Sequence, residues 1–181
     1  HLGRRSLLVG GLVQSVSGNA LNLGQRIWSR LVEETVNIAA GEGYKISSIL
    51  LLGLGGGTMV GLFRKKLGLV PITAVEIDPI IVHLAHKYFG LDRADNLRTI
   101  VGDARDVVAH PETFNLDFPA YSLIVVDLYL GSVFPTFAQS TEFFTGLNNL
   151  LAERGIVVFN RTDEGIDFLD SVKKHFDNVS V

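Results

Sequence analysis

Ile49-Leu50-Leu51-Leu52-Gly53-Leu54-Gly55-Gly56-Gly57-Thr58 is an apolar run that ends in clustered glycines. About twenty residues further on, a second apolar run closes on an acid, Val75-Glu76, with Ile77-Asp78-Pro79 after it. Strand, glycine turn, helix, then a strand ending in a carboxylate is the pattern of a βαβ unit that grips an adenosine nucleoside. Glycine lets the backbone turn sharply and approach a ligand, because a Cβ there would collide with it. The acid at the end of the next strand can accept hydrogen bonds from both ribose hydroxyls, the role assigned to Glu76. A dinucleotide fingerprint, G-x-G-x-x-G, needs a third glycine where Thr58 stands, so an NAD-dependent enzyme is the weak alternative. The stretch reads as G-x-G-x-G, Gly53 to Gly57, which suits a nucleoside with no pyrophosphate to seat on the helix N-terminus.

The rest of the chain repeats the alternation. Strands are expected at 48–53, 72–76, 97–101, 122–127 and 155–159, and helices at 57–67, 79–89, 104–110, 137–152 and 163–175. The strands are short and nearly all apolar (Ile49–Leu52, Leu123–Val126, Ile156–Phe159), as required when both faces of a parallel sheet are covered. With right-handed crossovers this gives an α/β fold, a doubly wound, mostly parallel Rossmann-like sheet. Upstream, Gly10-Gly11 between two β-prone runs predicts a small hairpin at 6–9 and 12–16, followed by a helix over 25–40. The organisation expected is residues 1–45 as hairpin and helix, and 46–181 as the nucleoside-binding α/β domain. Val179-Ser180-Val181 has the composition to start a further strand.

Bulk properties narrow the function classes. The 181 residues carry 47% hydrophobic and 19% charged side chains and a net charge of −3, which fits a globular domain and gives no basic patch for nucleic acid. There is no cysteine, so thiolate metal sites are excluded. His83 and His86 share a predicted helix without a third ligand, so no metal is expected. No run reaches the ~20 apolar residues that span a bilayer. The N-terminal apolar stretch is short and broken by glycines, which argues against a signal peptide. A cytoplasmic location and no membrane partner are expected.

Three more acids carry chemistry. Asp78, before Pro79, reads better as a helix cap than as a ligand. In Gly102-Asp103-Ala104, Asp103 either caps a helix or accepts from an adenine amino group, with the backbone N–H of Ala104 meeting a ring nitrogen. Asp127 ends the fourth strand after Ile124-Val125-Val126, where ligands of open α/β sheets lie. A carboxylate there suits a base or an amine holder, or is satisfied by loop N–H groups.

Taken together these stretches resemble the spermidine synthase family, within the class I S-adenosylmethionine-dependent transferase superfamily, over nearly the whole chain. Leu12-Val13-Gln14-Ser15 is similar to the family's N-terminal strand, whose glutamine contacts the nucleoside. Leu52–Thr58 resembles its glycine loop, Val75–Pro79 its ribose motif, and His86-Lys87-Tyr88-Phe89 the end of the helix that follows. Gly102-Asp103-Ala104-Arg105 resembles its adenine motif, and Leu123–Asp127 the strand that leads into its catalytic loop. Thr141-Glu142-Phe143-Phe144 and Gly155-Ile156-Val157-Val158 resemble the next helix and the fifth strand. The resemblance implies S-adenosylmethionine or its decarboxylated form as co-substrate. It implies Gln14, Gly53, Gly55, Gly56, Gly57, Thr58, Glu76, Ile77, Asp103 and Ala104 as its contacts and Asp127 as the base. It further implies a terminal antiparallel strand pair, of which this chain has only the first member. The fifth strand's free apolar edge then leads to an expected homodimer.

The substrate side departs from the family. Thr58 replaces the acid of the glycine loop, Leu130 the second acid of the catalytic loop, and Trp28 a pocket tyrosine, with Ser29 and Arg30 after it. A diamine brings two cations whose desolvation several carboxylates must offset. Trp28, Leu128, Tyr129 and Leu130 are therefore expected to form an acceptor pocket, with Val133 and Phe134 continuing an apolar wall and Arg30 adding a positive charge. Polyamine synthesis is not favoured on this reading. Methyl transfer to a less charged small-molecule acceptor is one reading, and a non-catalytic nucleoside-binding or assembly module is the other.

Overall fold

The computed structural model describes residues 5–16, 23–116, 120–131, 133–161 and 166–181; of residues 23–26 and 166 only the backbone is described. Strands β1 (Ser6–Val9) and β2 (Leu12–Val16) form an antiparallel hairpin, and helix α1 (Leu23–Gly41) follows. Then β3 (Ile49–Leu52), α2 (Thr58–Leu67), β4 (Ile72–Glu76), α3 (Pro79–Phe89), β5 (Leu97–Val101), α4 (Ala104–Ala109), β6 (Tyr121–Val126), α5 (Thr141–Leu150), β7 (Leu151–Phe159) and α6 (Ile166–Lys173) alternate. The sheet order is β5-β4-β3-β6-β7, and every adjacent pair is parallel. The chain winds outward from β3 on one side to β5 and on the other to β7. The reversal lies between β3 and β6, where a crevice opens at the carboxyl ends.

Strand β3 shows why the sheet holds. Each of its four residues is at most 1% exposed. Ile49 and Leu51 face a core with Val32 and Ala39 of α1, Val60 and Phe63 of α2 and Ala85 of α3. Leu50 and Leu52 face the opposite core, with Val107 of α4, Phe144 and Leu147 of α5 and Val172 of α6. The pleat sends alternate residues to opposite faces, so a strand with both faces covered must be apolar throughout. Burial of one such leucine or isoleucine stabilises the fold by roughly 1.5–3 kcal/mol.

Three expectations need correction. The helix expected over 137–152 is broken. A 3-10 turn, Thr136–Gln139, comes first, and Ser140 then caps α5 by accepting from Phe143 N–H at 3.2 Å. The chain is already extended at Leu151, so β7 begins before the predicted 155. Its register slips between the pairs Tyr121–Leu151 and Leu123–Ile156, around Arg154 with φ 62°. Val179-Ser180-Val181 forms no strand. Asn178 turns the chain with φ 51°, while Phe176 and Val179 pack against the α5 side of the core. The helix expected over 163–175 begins among residues outside the described ones; its described part is α6.

The glycine turn is set by sterics. Gly53 has φ +97°, and a Cβ on it would lie 2.1 Å from the Asp127 carbonyl oxygen. Gly61 of α2 has open space around its Cβ position and no positive φ. Gly53→Ala is therefore expected to destabilise the fold by on the order of 3 kcal/mol or more. Gly61→Ala is expected to stabilise it by about 0.5–1 kcal/mol. Urea denaturation of the two variants beside the parent checks both signs.

Candidate functional site

A cleft of about 590 Å³ lies over the carboxyl ends of β3 to β6, closed on one side by the hairpin and α1. It brings together Gln14 of β2, Trp28 of α1, Gly53, Gly55 and Thr58 of the glycine turn, and Glu76 and Ile77 after β4. Asp103 and Ala104 after β5, and Asp127, Leu128, Tyr129 and Leu130 after β6, also line it, as the sequence led one to expect. Gly56 and Gly57 do not line it. A Cβ on Gly56 would meet Ser15 Cβ at 2.6 Å, and one on Gly57 would meet Leu91 at 2.6 Å. These two glycines admit neighbouring protein, where the sequence suggested close approach to the ligand.

Glu76 is buried and organises one end of the cleft. Its Oε2 accepts from Gly55 N–H at 3.0 Å and its Oε1 from Asp78 N–H at 3.2 Å. Each oxygen keeps a further lone pair for a ligand donor. Asp78 caps α3 by accepting from Ile80 N–H at 2.8 Å, as the Asp-Pro pair suggested. Asp103 caps α4 through Oδ1, which accepts from Arg105 N–H at 2.8 Å. It also lines the cleft, so its two readings are compatible. Arg105 lies over the Phe137 ring at 4.5 Å, and both line the cleft.

Two polar ties hold the hairpin against the glycine turn. The Ser15 hydroxyl accepts from Gly56 N–H at 2.6 Å. The Thr58 hydroxyl accepts from Val16 N–H at 3.2 Å and contacts the Val16 carbonyl at 3.4 Å. Thr58 and Ser15 thus fix the wall of the cleft.

Asp127 marks the other end. Its Oδ1 accepts from Asn160 Nδ2 at 2.7 Å, and the Trp28 indole N–H also donates to the carboxylate. Burial raises its pKa to about 6, against the opposing pull of these two donors. Asn160, buried just past β7, was not singled out in the sequence. Its signal is positional: a polar residue directly after an apolar strand, at the end of the sheet where the other site residues gather. Its side chain reaches Asp127 only because β7 pairs with β6, with Asn160 N–H donating to Val126 O at 2.9 Å. Tyr129 Oη in turn donates to Asn160 O at 3.1 Å.

The apolar wall differs from expectation. Leu128, Tyr129 and Leu130 line the cleft, joined by Pro135 and Phe137. Phe134 is instead buried beneath, edge-on to Tyr129 at 6.0 Å between ring centres. Val133 pairs backbone to backbone with Leu130 in a tight turn and is 62% exposed. The turn geometry, which residue pattern alone does not encode, sends Val133 and Phe134 out of the cleft. Arg30 brings no charge to the site, because it pairs with Glu34 at 2.7 Å on the outer face of α1. His86 bonds Thr99 at 3.2 Å, and no group of three metal-ligating side chains exists among the described residues. No helix among the described residues is long and apolar enough to cross a membrane.

No protein-family model matches the chain. It is 30% identical over 116 residues to the polyamine aminopropyltransferase of Vibrio vulnificus, covering 64% of this chain and 38% of that enzyme. It is 36% identical over 115 residues to the N-terminal histidine N-methyltransferase of Emericella nidulans, covering 63% of this chain and 20% of that enzyme. The chain thus matches well under half of either relative. Among solved structures, a probable spermidine synthase from Corynebacterium glutamicum superposes with TM-score 0.70 at 24% identity, covering 85% of this chain and 55% of that one. Human methyltransferase-like protein 13 in complex with SAH superposes with TM-score 0.60 at 22% identity, covering 86% and 72%. These likenesses show the fold, the Rossmann-like sheet of the S-adenosylmethionine-dependent methyltransferase type.

The Asp127 carboxyl has a stability consequence. Its folded pKa lies above the ordinary carboxyl value of 3.8, at about 6. The folded state therefore favours the protonated form, and stability present below about pH 4 is lost as pH rises through 6. Asp127→Asn is expected to be more stable than the parent at pH 7.5 by on the order of 2–3 kcal/mol. The gain should vanish towards pH 4, as read by denaturation across that range.

Proposed function

We propose that this chain, spermidine-synthase-like and of the class I S-adenosylmethionine-dependent transferase superfamily, binds S-adenosylmethionine or its decarboxylated form in the cleft and methylates an amine. The observation that carries the reading is the acceptor end. One carboxylate, Asp127, stands there among Trp28, Tyr129, Leu128 and Leu130. In the proposed pose the ribose hydroxyls donate to Glu76. The adenine amino group donates to the Asp103 oxygen left free by the cap, and a ring nitrogen accepts from Ala104 N–H. The sulfonium then points towards Asp127.

Asp127 would take the proton that the acceptor amine must lose before its lone pair attacks the methyl carbon. The carbon–sulfur bond breaks with its electrons passing to sulfur, leaving a neutral thioether. A base with a pKa near 6 suits an acceptor that gives up its proton readily. A peptide α-amino group, at about 7.7–8.0, is a smaller step than an alkyl ammonium at about 10.4. The Emericella relative, an N-terminal histidine N-methyltransferase, supports the same choice. Aminopropyl transfer is the second reading, supported by the Vibrio relative, with the decarboxylated co-substrate. A non-catalytic nucleoside-binding module would bind the nucleoside and transfer nothing.

Calorimetry with S-adenosylmethionine, its decarboxylated analogue and methylthioadenosine tests the nucleoside site. Glu76→Ala should weaken binding by on the order of 1.5–3 kcal/mol, the usual worth of hydrogen bonds to a charged group. An unchanged dissociation constant would remove Glu76 from the ribose. Transfer assays with labelled co-substrate should show methylated peptide N-termini and little product from putrescine. Robust spermidine formation would reverse that order.

A further inference from the structure

We infer that Asn160 is a positioning residue for transfer, holding the Asp127 carboxylate in place from β7 while Trp28 holds it from α1. The inference rests on the reading of Asp127 as the acceptor-side base. Asn160 directly follows Phe159, the last residue of β7, and its geometry has three parts. Its side-chain amide donates to Asp127 Oδ1 at 2.7 Å. Its own main chain is tied down independently, by N–H to Val126 O and by O from Tyr129 Oη. Its side chain is largely buried in the wall of the cleft, 8% exposed.

The chemistry explains why an amide serves here. An ionised carboxylate only accepts, so the NH₂ end of the Asn160 amide is the end that must face it. A cationic partner would hold the carboxylate more tightly ionised and weaken it as a base. A neutral donor orients the oxygen and opposes the effect of burial without cancelling the charge. The elements around Asp127 supply no ion pair to it among the described residues. Trp28 comes from α1, the Gly53 backbone from the β3 turn, Tyr129 from the loop after β6 and Asn160 from β7. The charged groups of the same cleft, Glu76, Asp78, Asp103 and Arg105, are not among the causes of the Asp127 shift. The two neutral donors therefore set its ionisation against burial.

The test reads Asp127 directly and through turnover. Carboxyl ¹³C resonances of protein labelled at aspartate are followed from pH 4 to pH 9, with Asp127→Asn identifying the signal. The parent should titrate near 6. Asn160→Leu, which removes the donor, should move the Asp127 midpoint up by about one unit, since loss of a bond to the charged form disfavours it. Asn160→Asp keeps the volume and places two carboxyls together, and should move the apparent midpoint up as well. If Asn160→Leu does not fold, Asn160→Ala, which removes the donor without adding bulk or charge, carries the test. In the peptide transfer assay the acid limb should move by the same amount in each variant, with S-adenosylmethionine affinity unchanged. A merely structural role would lower the yield of folded protein and leave the Asp127 midpoint and the acid limb of the variants without a donor where they were, and that result overturns the inference. A protein that transfers nothing but still shows the shifted midpoints would overturn the functional reading and leave the Asp127–Asn160 coupling standing.

Discussion

The approach of the Gly53 backbone to the Asp127 carbonyl is the constraint on which the cleft depends. The first residue past β3 and the first past β6 lie so close that no side chain fits between them. Parallel pairing brings them there: Gly53 N–H donates to Val75 O at 2.9 Å, and Asp127 N–H donates to Leu52 O at 2.8 Å. The sheet therefore ends at one level across β4, β3 and β6, directly at its reversal. Glu76 and Asp127 come to face the same space because their strands stop together.

Much of this was legible in the sequence, for a physical reason. A strand covered on both faces has no freedom in its pattern, so Ile49–Leu52 and Leu123–Val126 announce themselves as apolar runs. Positions that need glycine or a cap also leave a mark, as at Gly53, Asp78-Pro79 and Gly102-Asp103. What stayed hidden depends on contacts between distant residues. Asn160 meets Asp127 across the β6–β7 pair, and Ser15 meets Gly56 across the hairpin's docking surface. The break at Ser140 was hidden for a different reason. Phe137, Phe143 and Phe144 keep a helical spacing, while a serine in extended conformation between them caps a new helix. The periodicity was sound, and a capping side chain overrode it locally.

Thr58 shows how one position can look like a loss and act as a joint. A carboxylate there could accept from Val16 N–H but could offer nothing to Val16 O. A hydroxyl can do both, and Thr58 lies within reach of both groups. In the sequence this residue stands out as a missing glycine, a missing charge and an implied co-substrate contact. In the structure it belongs to the joint between hairpin and sheet, alongside Ser15.

That joint gives the molecule two tiers of cohesion. The sheet is locked by fully buried side chains on both faces. The hairpin rests on it through Leu7, Ser15 and Val16, while Leu8, Val9, Leu12 and Val13 remain exposed. Local opening free energies follow how much a segment buries and how many of its hydrogen bonds bridge to the rest. Amide protons in β1 and β2 should therefore exchange through local openings that leave β3 to β6 protected. The hairpin wall, with Gln14 on it, can lift away without unfolding the floor on which Glu76 and Asp127 sit. Entry to and exit from the cleft can then proceed at the expense of a few contacts, on a timescale separate from global unfolding.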